Sequence, residues 1–358
     1  MKNLVSILLA LAAIVFPACR ERTSVEGLPP VVHAEGGSHH VQGIACDRDA
    51  GFMYFSFTTS FVKTDLQGKV IGTVEHIQGH LGAMVFNKKD RKVYASLECK
   101  DDVIGAGLSD FAKGKSMFYI AIIDVDKVTS VGMDSEDNDA FRIVCVKDAT
   151  DDYHGKRYGC SGIDGVAIAP KMGRKGGEDF LYVAYGIYSD TTRTDNDYQV
   201  LLRYGFDELN GYSGKVKFGE FYDQGPSHPA DKYFIYTGNT NWGVQNLAYD
   251  PSSCRMLMFV YKGVKTAFPN HSVFYFDLSA KPSQGLLAGV PYDTDEHPVV
   301  GTPDLPVEGL DFKYGSTGVS PLGGGYFYIS ENGRNEAGLQ TCDARLYRWD
   351  GETFVPAS

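Results

Sequence analysis

The chain has 358 residues and a formal charge of −11, from 34 Lys plus Arg against 45 Asp plus Glu. That balance leaves no basic stripe to follow a phosphate backbone, which excludes nucleic acid as an expected partner. Aromatic residues at 13% and 41 Gly describe many short strands joined by tight turns, and closed all-β folds of this length run as one domain.

In chain order, Met1-Lys2-Asn3 and the apolar run Leu4 to Phe16 have the layout of an export signal, too short to span a bilayer comfortably. The run ends in Phe16-Pro17-Ala18-Cys19, which resembles the lipobox of bacterial lipoproteins. The small Ala18 fits that pattern, whereas Phe16 and Pro17 depart from the usual Leu and Ala or Ser. The resemblance implies a lipid on Cys19 and a body held at the bacterial cell envelope, periplasmic or surface-facing; the alternative is an ordinary secretory signal. Residues 1–18 then form the signal, 19–38 a tether containing Pro29-Pro30, and 39–358 a single body. Six cysteines remain, an even number that allows up to three disulfides in an oxidising compartment, with Cys145 and Cys160 the closest pair in sequence after Cys19.

The body repeats one pattern five times, a strand ending on an apolar or aromatic residue, then Asp and a turn. The copies end at Asp65, Asp124, Asp207, Asp277 and Asp350. Such self-similarity predicts an all-β fold, a five-bladed β-propeller of four-stranded antiparallel blades over about 39–79, 80–150, 160–225, 241–300 and 307–358. The fourth strand of blade three is expected at Lys215 to Tyr222, and that of blade four near Leu286 to Tyr292. Thr317 to Ser320 begins the first hairpin of blade five, and the segment around Val31-Val32 is a candidate outer strand to clasp that blade. The strand-end Asp residues read as turn caps, and Asp101-Asp102 and Asp151-Asp152 as solvated loop charges.

In a propeller, the residues leading into the inner strands ring one end of the central channel, the default site. Here these are His39, His40 and Gln42, then His80, Asp164, Asn241, Trp242, Gln245 and Asn246, and Glu308 with Asp311. Aligning blades one and two on Asp47 and Asn87 sets His40 and His80 at matched positions. Loops between second and third strands add Glu98, Asp101, Asp102, Arg193, Glu331 and Arg334, among others, to the same rim. Asp164 and Glu308 are the candidate acid/base groups or metal ligands, with His40 and His80 as proton carriers. Gln42, Trp242, Gln245, Asn246, Arg193, Arg334 and Glu331 are the candidate ligand-binding groups, Trp242 offering an aromatic platform for a sugar ring. Calcium is the candidate ion.

The blades resemble secreted bacterial propeller proteins, and Glu308-Gly309 is similar to the Glu-Gly element of the gluconolactonase and phytase-like propellers. The Asn and Asp partners of that element's metal site have no counterparts here. The resemblance to five-bladed glycosidases implies two or three inner-strand carboxylates, and only Asp164 and Glu308 stand at such positions. Three functions follow as expectations, with binding favoured: a funnel for a glycan or other small polar ligand, a hydrolase or lyase acting on a sugar or phosphate ester, and a protein-interaction scaffold using the long loops of blades two and three.

Overall fold

The computed structural model describes residues 25–37, 39–108, 114–217, 219–285, 287, 289, 300–301 and 305–357. The expected export signal and Cys19 lie outside the described residues, and of the strand expected near Leu286 to Tyr292 only Leu287 and Gly289 fall within them.

Five antiparallel sheets form the ring of a β-propeller. Blade one is Gly43–Asp47, Phe52–Ser56, Phe61–Asp65 and Val70–Glu75, with Met133–Asp134 added parallel at its edge. Blade two is His80–Asn87, Lys92–Cys99, Met117–Asp124 and Phe141–Cys145. Blade three is Cys160–Pro170, Asp179–Ile187, Tyr198–Tyr204 and Asp231–Tyr236, with Val300–Gly301 parallel to the last. Blade four is Asn241–Asp250, Arg255–Tyr261, Val273–Asp277 and Glu308–Leu310. Blade five is Val319–Gly323, Tyr326–Arg334 and Gln340–Trp349, whose third strand carries both the C-terminal Phe354–Pro356 and the N-terminal Val31–Glu35. The clasp expected from Val31-Val32 is therefore present. Each inner strand touches its two neighbours all the way round, which closes the ring.

The strands form where β-branched and aromatic residues alternate or run together, since blades are covered on both faces. Apolar clusters fill each gap between blades, for example Tyr54, Phe61, Val93 and Tyr119 between blades one and two. Rings such as Phe55 and Phe118 are fully buried, each contributing about 1.5–3 kcal/mol relative to exposure. The strand-end carboxylates cap turns as expected: Asp65 accepts from the Gln67 and Lys69 amides at 2.9 Å, and Asp350 from Glu352 and Thr353 at 2.9 Å. Asp207 differs, sitting in the first turn of a short helix, Phe206–Tyr212.

Four expectations need correction. The outer strand of blade three is Asp231–Tyr236. The segment expected there instead follows blade two, where the Gly214 and Ile143 amides and carbonyls exchange bonds at 2.9 Å and Phe221 and Tyr222 pack on the core. Glu308 belongs to the outer strand of blade four, and the inner strand of blade five begins at Val319. Asp152 is buried in the helix Lys147–His154, where it accepts from Tyr185 Oη at 2.7 Å and pairs with Arg157 at 2.6 Å and with Lys232. Finally, the six described cysteines are free thiols. Cys145 packs between blades one and two while Cys160 packs between blades two and three, so closeness in sequence does not bring them together.

Candidate functional site

Three of the inner strands carry a register shift near one end of the channel: blade two between Leu81 and Met84, blade three between Ile163 and Val166, and blade four between Val244 and Asn246. A bulge turns side chains out of the regular alternation and re-aims them. Here the shifts bracket Gly82, Asp164 and Gln245 at what we call the upper mouth.

His80 faces Glu98 directly across the blade-two hairpin, so both side chains lie on one face. His80 Nδ1 is 3.7 Å from Glu98 Oε2, and the Lys100 ammonium is 2.9 Å from the same oxygen. Glu98 Oε1 accepts from the Ile163 amide at 3.0 Å, which ties blade two to blade three beside Asp164. Lys100 also donates to the Ser161 carbonyl at 3.2 Å.

A second chain of bonds crosses the channel. His40 Nε2 lies 2.9 Å from Gln42 Oε1, and because that oxygen only accepts, the proton of a neutral His40 sits on Nε2. Gln42 Nε2 donates to Gln245 Oε1 at 2.9 Å, and Gln245 Nε2 donates to Asp164 Oδ2 at 3.1 Å and to the Trp242 carbonyl at 3.0 Å. Asn246 Nδ2 donates to the Gln42 carbonyl at 3.1 Å. Blades one, four and three are thus linked across the axis through Gln42, Gln245, Asp164 and Asn246, which are almost fully buried, with the exposed His40 at one end.

Burial divides the charges. Removal from water, reinforced by the charge of Glu98, raises the Asp164 carboxyl well above the usual carboxylate range, against the opposing pull of Lys100 and Gln245. Burial presses Glu98 the same way, but Lys100 and His80 outweigh it and hold Glu98 below its ordinary value. Burial likewise opposes the charge on Lys100, and Glu98 and Asp164 more than restore it. The His40 imidazole is lowered by burial and by the neighbouring His80 and His39, against its bond to Gln42. The mouth therefore sets a carboxyl raised by burial, Asp164, beside one held low by its cationic neighbours, Glu98, with the Lys100 ammonium and the lowered His40 imidazole close by.

An aromatic shelf borders this network. Trp242 and Tyr188 meet edge to face with centroids 6.0 Å apart, and each is 37% exposed. Trp242 has a left-handed backbone, φ +66°, a conformation that a bulky residue adopts only where its surroundings impose it. Burial and a bond to Tyr153 push the Tyr188 phenol up to about 12, while the Lys100 charge acts against them, so the shelf lies within electrostatic reach of the charged cluster.

Of the residues singled out from sequence, His40, Gln42, His80, Asp164, Trp242, Gln245 and Asn246 meet at this mouth. Four others do not join the network. Glu308 is largely exposed on the side of blade four, accepting from Tyr275 Oη at 3.1 Å with Arg255 at 3.7 Å. Glu331 is taken up by Arg345 and Tyr347, each at 2.7 Å. Arg193 is held by Asp195 and by the Lys156 carbonyl at 2.8 Å. Arg334 donates to the Gly338 carbonyl at 3.0 Å within its own hairpin.

Lys100, Ser96 and Tyr188 escape a reading by inner strands, and Glu98 is placed by such a reading in a rim loop although it stands inside the mouth. A signal for Ser96 exists in the repeat. Gly43 donates to Ser56 Oγ and Gly318 to Ser330 Oγ, both at 2.8 Å, and Gly82 with Ser96 is the corresponding pair in blade two.

No protein-family model matches this sequence, and no curated protein sequence matches it. Among solved structures, the chain is similar to the holo form of the PQQ domain of pyranose dehydrogenase from Coprinopsis cinerea, at 9% identity over 85% of this chain and 81% of that one, with a TM-score of 0.40. It is also similar to Drosophila semaphorin 2a, at 9% identity over 92% of this chain and 54% of that one, with a TM-score of 0.41. At such identity and score the likeness carries no function.

Proposed function

We propose that this chain is an exported propeller lipoprotein, anchored to the bacterial envelope through Cys19, that holds a glycan or similar polyhydroxylated ligand at its upper mouth. The observation that carries this reading is the partly exposed Tyr188–Trp242 shelf set against a buried row of amides and carboxyl groups. A sugar ring presents C–H faces that lie on an aromatic surface and hydroxyls that both donate and accept. Asp164 in its neutral form donates, Glu98 accepts, the Gln42 amide keeps one N–H beyond its bond to Gln245, and Gln245, whose two N–H groups are taken by Asp164 and the Trp242 carbonyl, accepts.

The chain has two Trp, and the other, Trp349, is buried. A ligand on the shelf therefore changes the Trp242 part of the intrinsic emission over a contribution from Trp349, and Trp242→Phe isolates that contribution. Titration of the full-length chain with mono- and oligosaccharides should shift that emission, and Trp242→Ala should weaken binding measured by calorimetry roughly 10- to 30-fold, as loss of an aromatic anchor does. If no sugar changes either emission or melting temperature, the glycan reading fails.

A second reading is favoured by one further observation, the opposed shifts of Asp164 and Glu98. Two carboxyl groups whose surroundings push one pKa up and the other down are the pairing used to protonate a leaving oxygen in a hydrolase or lyase acting on a sugar or phosphate ester. His80, at the more exposed lip, is its proton carrier to solvent. Glu308 has no part in it. This reading requires that Asp164→Asn abolish turnover of a bound ligand while leaving its affinity intact.

A further inference from the structure

We propose that His80, Glu98 and Asp164 form a binding site for a divalent transition-metal ion such as Zn2+ or Co2+, in competition with the ammonium of Lys100. One ligand atom from each of the three residues lies within 4.8 Å of the others. Metal bonds of about 2.0–2.2 Å to imidazole nitrogen and carboxylate oxygen put such ligands about 3–3.5 Å apart, so modest side-chain rotation closes the set. The three come from two blades: His80 and Glu98 face each other across one hairpin, and the blade-three bulge supplies Asp164.

One independent observation points to a ligand there. The Ser96 hydroxyl is fully buried and has no hydrogen-bond partner among the described residues. It borders the small space above Gly82 that Asp164 Oδ1 also borders, 3.8 Å from where a Cβ on Gly82 would stand. A buried hydroxyl left so is met by an ordered solvent molecule or by a ligand's oxygen, and a metal-bound water supplies one. An ion would meet a competitor for Glu98: Lys100 Nζ and His80 Nδ1 converge on the same Glu98 oxygen, at 2.9 and 3.7 Å. Asp102, 3.9 Å from that ammonium, gives it another partner when an ion takes Glu98.

The donor set also chooses among ions. One nitrogen and two carboxylates suit zinc, cobalt, manganese or iron, whereas calcium takes six to eight oxygens. On these donors a transition ion fits better than the calcium considered from the sequence. Metal binding can be read without any sugar, so it stands or falls separately from the glycan reading.

The test uses the full-length chain, stripped with chelator, then titrated with Co2+ followed by visible absorption and with Zn2+ and Ca2+ followed by calorimetry. The expected result is one Zn2+ or Co2+ per chain, no saturable Ca2+ binding, and affinity lowered at least about 100-fold in His80→Gln and in Asp164→Asn. Lys100→Met should bind Zn2+ about tenfold more tightly, and Asp102→Asn, a substitution outside the buried cluster, a few-fold more weakly. Absence of saturable Zn2+ and Co2+ binding overturns the site, as does binding that survives both His80→Gln and Asp164→Asn. An affinity unchanged in both Lys100→Met and Asp102→Asn overturns the competition with Lys100.

Discussion

The two mouths of the channel are built by the same five inner strands, yet they differ in what they do with charge. At the lower mouth Asn87, Lys88, Lys89, Asp179, Ser320 and Pro321 line an open hollow of about 600 Å3. Its ion pairs, Lys88 with Asp49 and Lys89 with Asp179, stand in water. At the upper mouth, strand bulges bring the charges inside, where each must be answered by a partner. The open hollow is thus the less chemically organised of the two mouths, and what marks a site is the desolvation of its titratable groups rather than the space around them.

The sharpest way to break this contrast is to remove one carboxylate from each mouth. Glu98 and Asp179 have lysine partners at nearly equal distances, 2.9 and 2.7 Å. Glu98→Ala leaves a buried ammonium and the Ile163 amide without their acceptor and should cost about 3–5 kcal/mol in denaturant unfolding. A cost near that of a surface pair would mean that water reaches Glu98 freely.

The next effect in size comes from the backbone of the upper mouth. Gly162 has φ +135°, and a Cβ there would run into Glu98 Oε1 and stand 2.5 Å from the Phe118 ring. Gly162→Ala should therefore destabilise by roughly 2–4 kcal/mol.

A smaller effect is visible in pH dependence. Asp164 has a raised carboxyl pKa in the fold, so its contribution is fully present below the ordinary Asp value and is lost as pH rises through the folded pKa. Glu98 has the opposite sign: its contribution is present above the ordinary Glu value and is lost as pH falls through its lowered one. Asp164→Asn keeps a neutral group of similar shape at every pH. Its melting temperature relative to wild type should rise progressively as pH increases above the ordinary Asp value, and a flat difference would show that Asp164 ionises normally.

The smallest change is the counterpart to the first. Asp179→Ala removes an exposed pair at the lower mouth and should cost less than about 1 kcal/mol, a loss that added salt reduces further.

Much of this contrast could be read from the chain. The strand-Asp-turn repeat marked the five blades because local turn chemistry recurs in four of them, Asp207 sitting in a short helix instead, and His40, His80, Asp164, Gln42 and Gln245 were legible as polar residues where inner strands begin. What escaped depends on pairing over long distances. Glu98 enters the site because it faces His80 across a hairpin and Asp164 across a blade boundary, neither of which has a local signature. Glu308 misleads because Glu-Gly before a short apolar run looks like an inner strand, while its pairing with Tyr275 makes it an outer one. Outer strands are short edge pieces, and the three residues Glu308–Leu310 carry too little alternation to be recognised.

The N-terminal strand that completes blade five has a consequence for how the molecule is made. His33 bonds to Asp343 across 310 residues of chain. During synthesis the first strand must wait until nearly the last one has emerged, and until then the nascent chain is an open arc of finished blades with unpaired edges at both ends. Closing so long a loop is slow, and open edges invite pairing with other chains. The clasp is thus the last step of assembly, and the step at which a nascent chain is most exposed to aggregation.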